Sequence, residues 1–389
     1  MPFAALGTCP TPVERLAGIE RALGTGPEPR RPVRGTCGSP RGAGVPPTFK
    51  STELWVKRDD LSGEPWGMSK VRKLEHYFGE ARSLGARRVL TFGPFGSNHA
   101  LATALYGRQL GFEVHLHLWP EPMAERVRQT LLAEQASGAN LFLVGALGEQ
   151  ALVDLSAAAV VADRSLDAYV IPPAGTDPVG AMGYVEAGLE LGEQVARGEL
   201  PAPDFVHVAG GTGGVAAGLV VGLRLAGLRA RVVAVRCVAA EVLTELRIVF
   251  LARRLCQRLA RLADVAEDSL PQPVAEDFLI LHDHAGGGYG RPTEEAARAA
   301  SLFAAHAGLT LDVTYTAKAA AGLLAFATSA AGAGRRHLFF HTYAHRDLAA
   351  LAGHTRWEDL PAPFRAFLDG QSRQRGRDPR RFVPVVARR

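Results

Sequence analysis

From Glu53 onward the chain alternates between two kinds of apolar pattern. Short apolar runs, bounded by glycine or polar residues, predict strands at 54–57, 88–92, 113–118, 140–144, 168–171, 204–209, 230–235, 278–282 and 337–340. Between them, apolar residues recur every three to four positions. That spacing predicts helices at 71–84, 100–110, 121–137, 149–163, 178–197, 214–226, 241–263, 293–307 and 316–331. Strands alternating with helices of this length imply βαβ units and parallel sheets, hence an α/β protein. Residues 24–49 are rich in Gly, Pro and Arg and read as an irregular insertion, and 264–276 reads as loop. The last forty or so residues have weak periodicity and end in a basic tail, 372–389; no internal repeat is visible.

Length and composition narrow the classes. At 389 residues the chain has room for two or three domains. No run approaches the roughly 18 apolar residues that span a bilayer, so no membrane partner is expected. Met1–Leu6 has no basic start leading into an apolar run, so no cleaved signal is expected either. Cys9, Cys37, Cys237 and Cys256 are scattered, which points to reduced thiols and a cytoplasmic location. The net charge of +5 comes from dispersed arginine without a recognition helix or an aromatic RNA-binding pattern, so no nucleic-acid partner is expected. Only Lys50, Lys57, Lys70, Lys73 and Lys318 are lysines; the other 39 of 44 basic residues are arginine. An amine forms an imine and a guanidinium does not, so these five positions are where covalent amine chemistry would sit.

The strongest local motif is Gly210-Gly211-Thr212-Gly213-Gly214-Val215, between an apolar strand and an apolar helix. Successive amides at a helix N-terminus make an anion site, and phosphate is the natural occupant. The alternative is a close strand-to-helix packing turn. Gly211-x-Gly213-x-x-Ala216 also satisfies a dinucleotide fingerprint, and the next strand ends at Arg236, which an NADP enzyme tolerates; a reductase stays open on this motif alone. Lys70 lies at a loop-to-helix junction, where partial positive charge helps keep an amine nucleophilic; a solvated surface lysine is the plain alternative. Ser97 and Asn98 precede a helix and equally suit N-caps. The histidine pairs 115/117, 282/284 and 341/345 are not backed by carboxylates in a metal motif, so no metal is expected.

Taken in order, Lys57–Leu61, Lys70–Glu75, Ser97-Asn98-His99, Gly183-Tyr184, the glycine loop, Tyr315-x-x-Lys318 and His341-Thr342 resemble the 1-aminocyclopropane-1-carboxylate deaminase/D-cysteine desulfhydrase family. The resemblance runs from about Thr11 to Leu348, poorly at 24–49 and 240–285. It implies pyridoxal 5'-phosphate as cofactor and the tryptophan-synthase-β-like fold (fold type II), with two domains of open twisted sheets and flanking helices. The larger, cofactor-binding domain would take residues 1–72 and 182–389, and the smaller α/β domain 73–181.

By the same resemblance Lys70 is the Schiff-base lysine and then the acid or base at Cα. Asn98 bonds the ring hydroxyl, and Ser97 lies near the substrate carboxylate or Cα. Amides of Gly211, Thr212, Gly213, Gly214 and Val215 hold the phosphate. Thr342 faces the pyridine nitrogen, with Thr316 as the alternative, and Tyr289 and Tyr315 shape the substrate pocket. Three departures stand out: Ser69 where the family has Asn, Val215 where it has Thr, and Tyr343-Ala344 where it has Gly-Gly. The implied activity is β-elimination from a small amino acid, D-cysteine or a relative, giving a 2-oxo acid and ammonia. Ring-opening deamination of aminocyclopropane carboxylate comes second, and a diverged member with weak or no catalysis stays open. The resemblance also implies a homodimer.

Overall fold

The computed structural model describes residues 2–24, 52–144 and 168–367. The insertion beyond Gly24, the helix expected at 149–163 and the basic tail lie outside the described residues. The strands are β1 (Val13–Arg15), β2 (Glu53–Lys57), β3 (Arg88–Pro94), β4 (Glu113–Trp119), β5 (Asn140–Leu143), β6 (Ala168–Val170), β7 (Phe205–Gly210), β8 (Arg231–Arg236), β9 (Phe278–Leu281) and β10 (Arg336–Phe340). The helices are α1 (Ala17–Ala22), α2 (Met68–Ser83), α3 (Asn98–Gln109), α4 (Glu125–Ala136), α5 (Pro178–Ala196), α6 (Gly214–Leu225), α7 (Glu245–Ala263), α8 (Glu294–Ala307), α9 (Thr316–Ala327) and α10 (Leu348–Ala352). Every expected strand, and every expected helix inside the described residues, is present within a few positions of its expected ends.

The chain divides into two units. The larger, residues 8–62 and 181–345, holds a sheet of order β1-β2-β10-β7-β8-β9. All neighbours pair in parallel except β1, which runs antiparallel to β2. Both faces are buried, as a parallel sheet requires. Val206, Val208, Val232, Ala234, Leu338 and Phe340 pack with α5, α6 and α7. Leu54, Val56, Val235 and Phe339 belong to a second cluster with α1, α8 and α9. The strand β1 and helix α1 were not expected from the pattern. They are too short to show a period, and a buried carboxylate stabilises them: Glu20 accepts from the Leu54 amide at 2.8 Å and from Arg15 Nε at 3.1 Å.

The smaller unit comprises residues 1–7, 63–180 and the chain from Arg346. Its sheet, β5-β4-β3-β6, is parallel throughout. Phe95, Ala100, Ala104, Leu116, Leu118, Leu131 and Leu141 form its core, joined by Leu360 and Phe364 from near the end of the chain. This division differs from the sequence-based one at three places, and by one residue at Ala181. Residues 1–7 group with the smaller unit because the Leu6 and Gly7 amides donate to Glu75 on α2, at 3.0 and 2.8 Å. Residues 63–72 group with the smaller unit because the turn before α2 is bound to α3, the Gly67 amide donating to Tyr106 Oη at 3.0 Å. The segment after His345 does so because Leu360 and Phe364 are buried beside β4 and α3.

Candidate functional site

Lys70 is the third residue of α2, so the helix starts two residues before it rather than just after it. Gly67 and Met68 both have left-handed φ, 66° and 67°, a conformation that strains a non-glycine residue. Tyr106 Oη fixes this turn by accepting from the Trp66 and Gly67 amides at 3.4 and 3.0 Å. The other described lysines are tied to carbonyl oxygens. Lys57 Nζ donates to Thr11 O, Glu190 and Gln194; Lys73 Nζ to Ala174 O and Gly175 O, both at 3.1 Å; and Lys318 Nζ to Ala285 O and Gly288 O at 2.7 and 3.0 Å. Lys70 has no such partner among the described residues. Burial draws its ammonium down to about 8. Lys73 lies one turn further along and is also lowered, first by burial and then by the charge of Lys70. His99 is buried with neither ring nitrogen hydrogen-bonded, and burial followed by the two lysines keeps it neutral.

Ser97 caps α3: its Oγ accepts from the Ala100 amide at 3.2 Å. The capping role anticipated for it is therefore real, and it leaves the hydroxyl proton available to another acceptor. Asn98 opens the helix, and its Oδ1 accepts from Arg126 Nη2 in the first turn of α4. Glu121 Oε1 in turn accepts from the Gly96 amide. A Cβ at Gly96 would lie 2.5 Å from Glu121 Oε1 and 3.1 Å from Val127 Cγ2, so the β3–α3 loop passes close to both side chains. Arg126 carries no sequence signal of its own; only the parallel pairing of β3 and β4 brings the two loops together.

The larger unit supplies the glycine loop as expected, between β7 and α6. Gly213 caps α6 with φ 89°, a value that favours glycine. The first amides of the helix are left without intrahelical partners. Gly211 faces comparatively open space: a Cβ there would come no nearer than 3.4 Å to anything, the closest atom being Tyr315 Cε1. The packing role of the motif belongs to other glycines, because a Cβ at Gly218 would lie 2.5 Å from Ala181 O on α5. Arg236, the position that kept a reductase open, spends its guanidinium on Val238 O and His282 O.

Tyr315 and Tyr289 lie together, rings edge to face with centroids 5.7 Å apart. Burial, then Tyr289, holds the Tyr315 phenol well above its ordinary value, so it stays a proton donor at neutral pH. The Asp312 carboxylate accepts from the Thr314, Tyr315 and Thr316 amides at 3.0, 2.9 and 2.8 Å. It also accepts from Thr316 Oγ1 at 2.7 Å, which commits that hydroxyl. Lys318 holds the glycine run 286–288 that precedes Tyr289. Thr342 is half-buried just beyond β10. Beside it His341 is buried and drawn down to about 4 by desolvation, so it is neutral. Tyr343 and Ala344 are buried as well.

Two motifs that carried the resemblance prove to be scaffolding. Lys57 and Asp59 gather the Thr11 segment onto β2 and α5, with the Thr11 hydroxyl donating to Asp59 at 2.9 Å and the Tyr184 hydroxyl at 3.3 Å. Among the described residues no group of three or more His, Cys, Asp or Glu is arranged to hold a metal ion. No described helix is long and apolar enough to cross a membrane.

Residues 44–342 match the family of pyridoxal-phosphate dependent enzymes. The chain is 36% identical to nocardicin C-9' epimerase of Nocardia uniformis subsp. tsuyamanensis, over 77% of this chain and 88% of that protein. It is 32% identical to D-cysteine desulfhydrase of Klebsiella pneumoniae subsp. pneumoniae, over 70% of this chain and 80% of that protein. Among solved structures it is similar to an ACC deaminase homologue, with a TM-score of 0.69 and 28% identity, covering 88% of this chain and 92% of that one.

Proposed function

Because the chain belongs to the pyridoxal-phosphate dependent enzymes, with pyridoxal phosphate as its cofactor and the fold of that family's type II members, we propose that it eliminates a β-substituent from a small amino acid. D-cysteine is the leading substrate: with one water it yields pyruvate, hydrogen sulfide and ammonia. The single observation that carries the reading is Lys70, a helix-start amine drawn to about 8 while the other described lysines are tied to carbonyls. The residues present fit the cofactor, since an amine and a glycine-rich helix N-terminus at Gly213–Val215 are what an aldehyde and a phosphate need.

Bound pyridoxal phosphate supplies an electron sink for negative charge at Cα. Lys70 is the covalent attachment point and holds or returns the Cα proton. The amides of Gly211, Thr212, Gly213, Gly214 and Val215 bind phosphate, without a hydroxyl at Val215. Asn98 offers its NH2 to the ring oxygen, and Ser97 its hydroxyl proton to a carboxylate. The commitment of Thr316 to Asp312 favours Thr342 as the neutral group at the pyridine nitrogen. Tyr315, kept protonated by burial and Tyr289, is suited to donate a hydrogen bond to a leaving thiolate. Ring-opening of aminocyclopropane carboxylate uses the same groups and ranks second.

A further reading, inversion at Cα without elimination, is favoured by the 36% identity to an epimerase. Incubating D-cysteine, L-cysteine and 1-aminocyclopropane-1-carboxylate in heavy water separates the three: elimination releases sulfide and 2-oxo acid from cysteine, ring-opening releases a 2-oxo acid from the cyclopropane, and inversion exchanges the α-proton of cysteine without either product. Borohydride reduction and peptide mapping should place the cofactor on Lys70, and Lys70→Ala should abolish turnover. Turnover retained in that variant overturns the mechanism. The reading extends to a cytoplasmic homodimer, the location supported by the free thiols of Cys237 and Cys256; light scattering and cell fractionation test both.

A further inference from the structure

Asn98 is bound from one side only by a cation, and that arrangement orients its amide. The Arg126 guanidinium donates to Asn98 Oδ1, and a flipped amide would turn its own donors against that guanidinium. The carboxamide therefore presents its NH2 group, never its oxygen, to whatever Asn98 meets. The donor side of Arg126 is itself steered, because Glu121 attracts it while accepting the Gly96 amide. These contacts join the loop after β3 to the loop after β4, at the carboxyl ends of two adjacent parallel strands, where α/β folds bind ligands.

We propose that Arg126 is a positioning residue for the cofactor: it locks the Asn98 amide so that the NH2 donates to the ring oxygen in its anionic form. Arg126 touches the cofactor at no point in this scheme and acts through Asn98. The inference rests on the reading that Asn98 and Lys70 hold pyridoxal phosphate, and it adds a residue 28 positions further along the chain with no motif around it.

The test is cofactor retention by the holoenzyme, followed by its visible absorption during dialysis, with a double-mutant cycle. Arg126→Ala should weaken retention about tenfold, the scale of one charge-assisted hydrogen bond, and shift the position of the absorption band. Arg126→Lys should restore part of both. In an Asn98→Ala background the Arg126→Ala change should have no further effect, because there is no amide left to orient. Unchanged retention, or an equal loss with and without Asn98, overturns the proposal. If Arg126→Ala fails to fold by circular dichroism, Arg126→Gln decides by the same two criteria. Mapping of the borohydride-reduced wild type separates the two levels. A label away from Lys70 defeats the underlying reading, whereas a label on Lys70 with retention insensitive to Arg126 defeats this inference alone.

Discussion

The depressed proton affinity of Lys70 has a consequence that is measurable in the apoenzyme. Only the neutral amine attacks an aldehyde. At pH 7 an amine drawn from 10.5 to about 8 is roughly 9% neutral instead of roughly 0.03%, a gain of about 300-fold in reactive species. Capture of pyridoxal phosphate by apoenzyme, trapped with cyanoborohydride and read by peptide mass, should rise about tenfold per pH unit below 8 and then level off. A rate still climbing beyond pH 10 would refute the argument, as would a label on Lys73, whose amine is engaged by Ala174 and Gly175. The sign for stability follows. Between pH about 8 and 10.5 the unfolded chain carries a proton at Lys70 that the folded chain does not. Unfolding free energy of the apoenzyme should therefore gain from this group as pH rises through that window, and Lys70→Met should remove that gain.

Asp312→Ala removes the acceptor of three amides and one hydroxyl at the start of α9, so urea unfolding should show a loss of about 2 kcal/mol. Lys318→Met leaves Ala285 O and Gly288 O without their donor; a loss of about 1–3 kcal/mol is expected, with faster hydrogen exchange over 284–290 and a higher KM. The glycines separate by role. Gly218→Ala should lower thermal stability, since its Cβ would meet Ala181 O at 2.5 Å. Gly211→Ala, 3.4 Å from its nearest neighbour, should keep the fold and retain cofactor less well on dialysis.

Much of this was written in local pattern. Strand and helix periods depend only on which faces an element buries, so the order of elements from β2 to β10 was legible without the structure. The lysine scarcity and the glycine loop after β7 were legible for the same reason, since each is a property of a few adjacent residues. Even so, the motifs did not announce their roles. Lys57 and Lys70 sit in equally suggestive surroundings in sequence, yet one is bound by Thr11, Glu190 and Gln194, 46 to 137 residues away, and the other is left free to react. The partners of Asn98, Thr316 and the Tyr289 loop, like the burial of Leu360 and Phe364 in the smaller core, depend on strand order and helix packing. A hydrogen bond across the fold costs its residues no particular spacing, so it leaves no period to read. The sequence by itself determined the elements and the short list of candidate amines; the tertiary structure alone decided which of them, and which other polar groups, are committed to the scaffold.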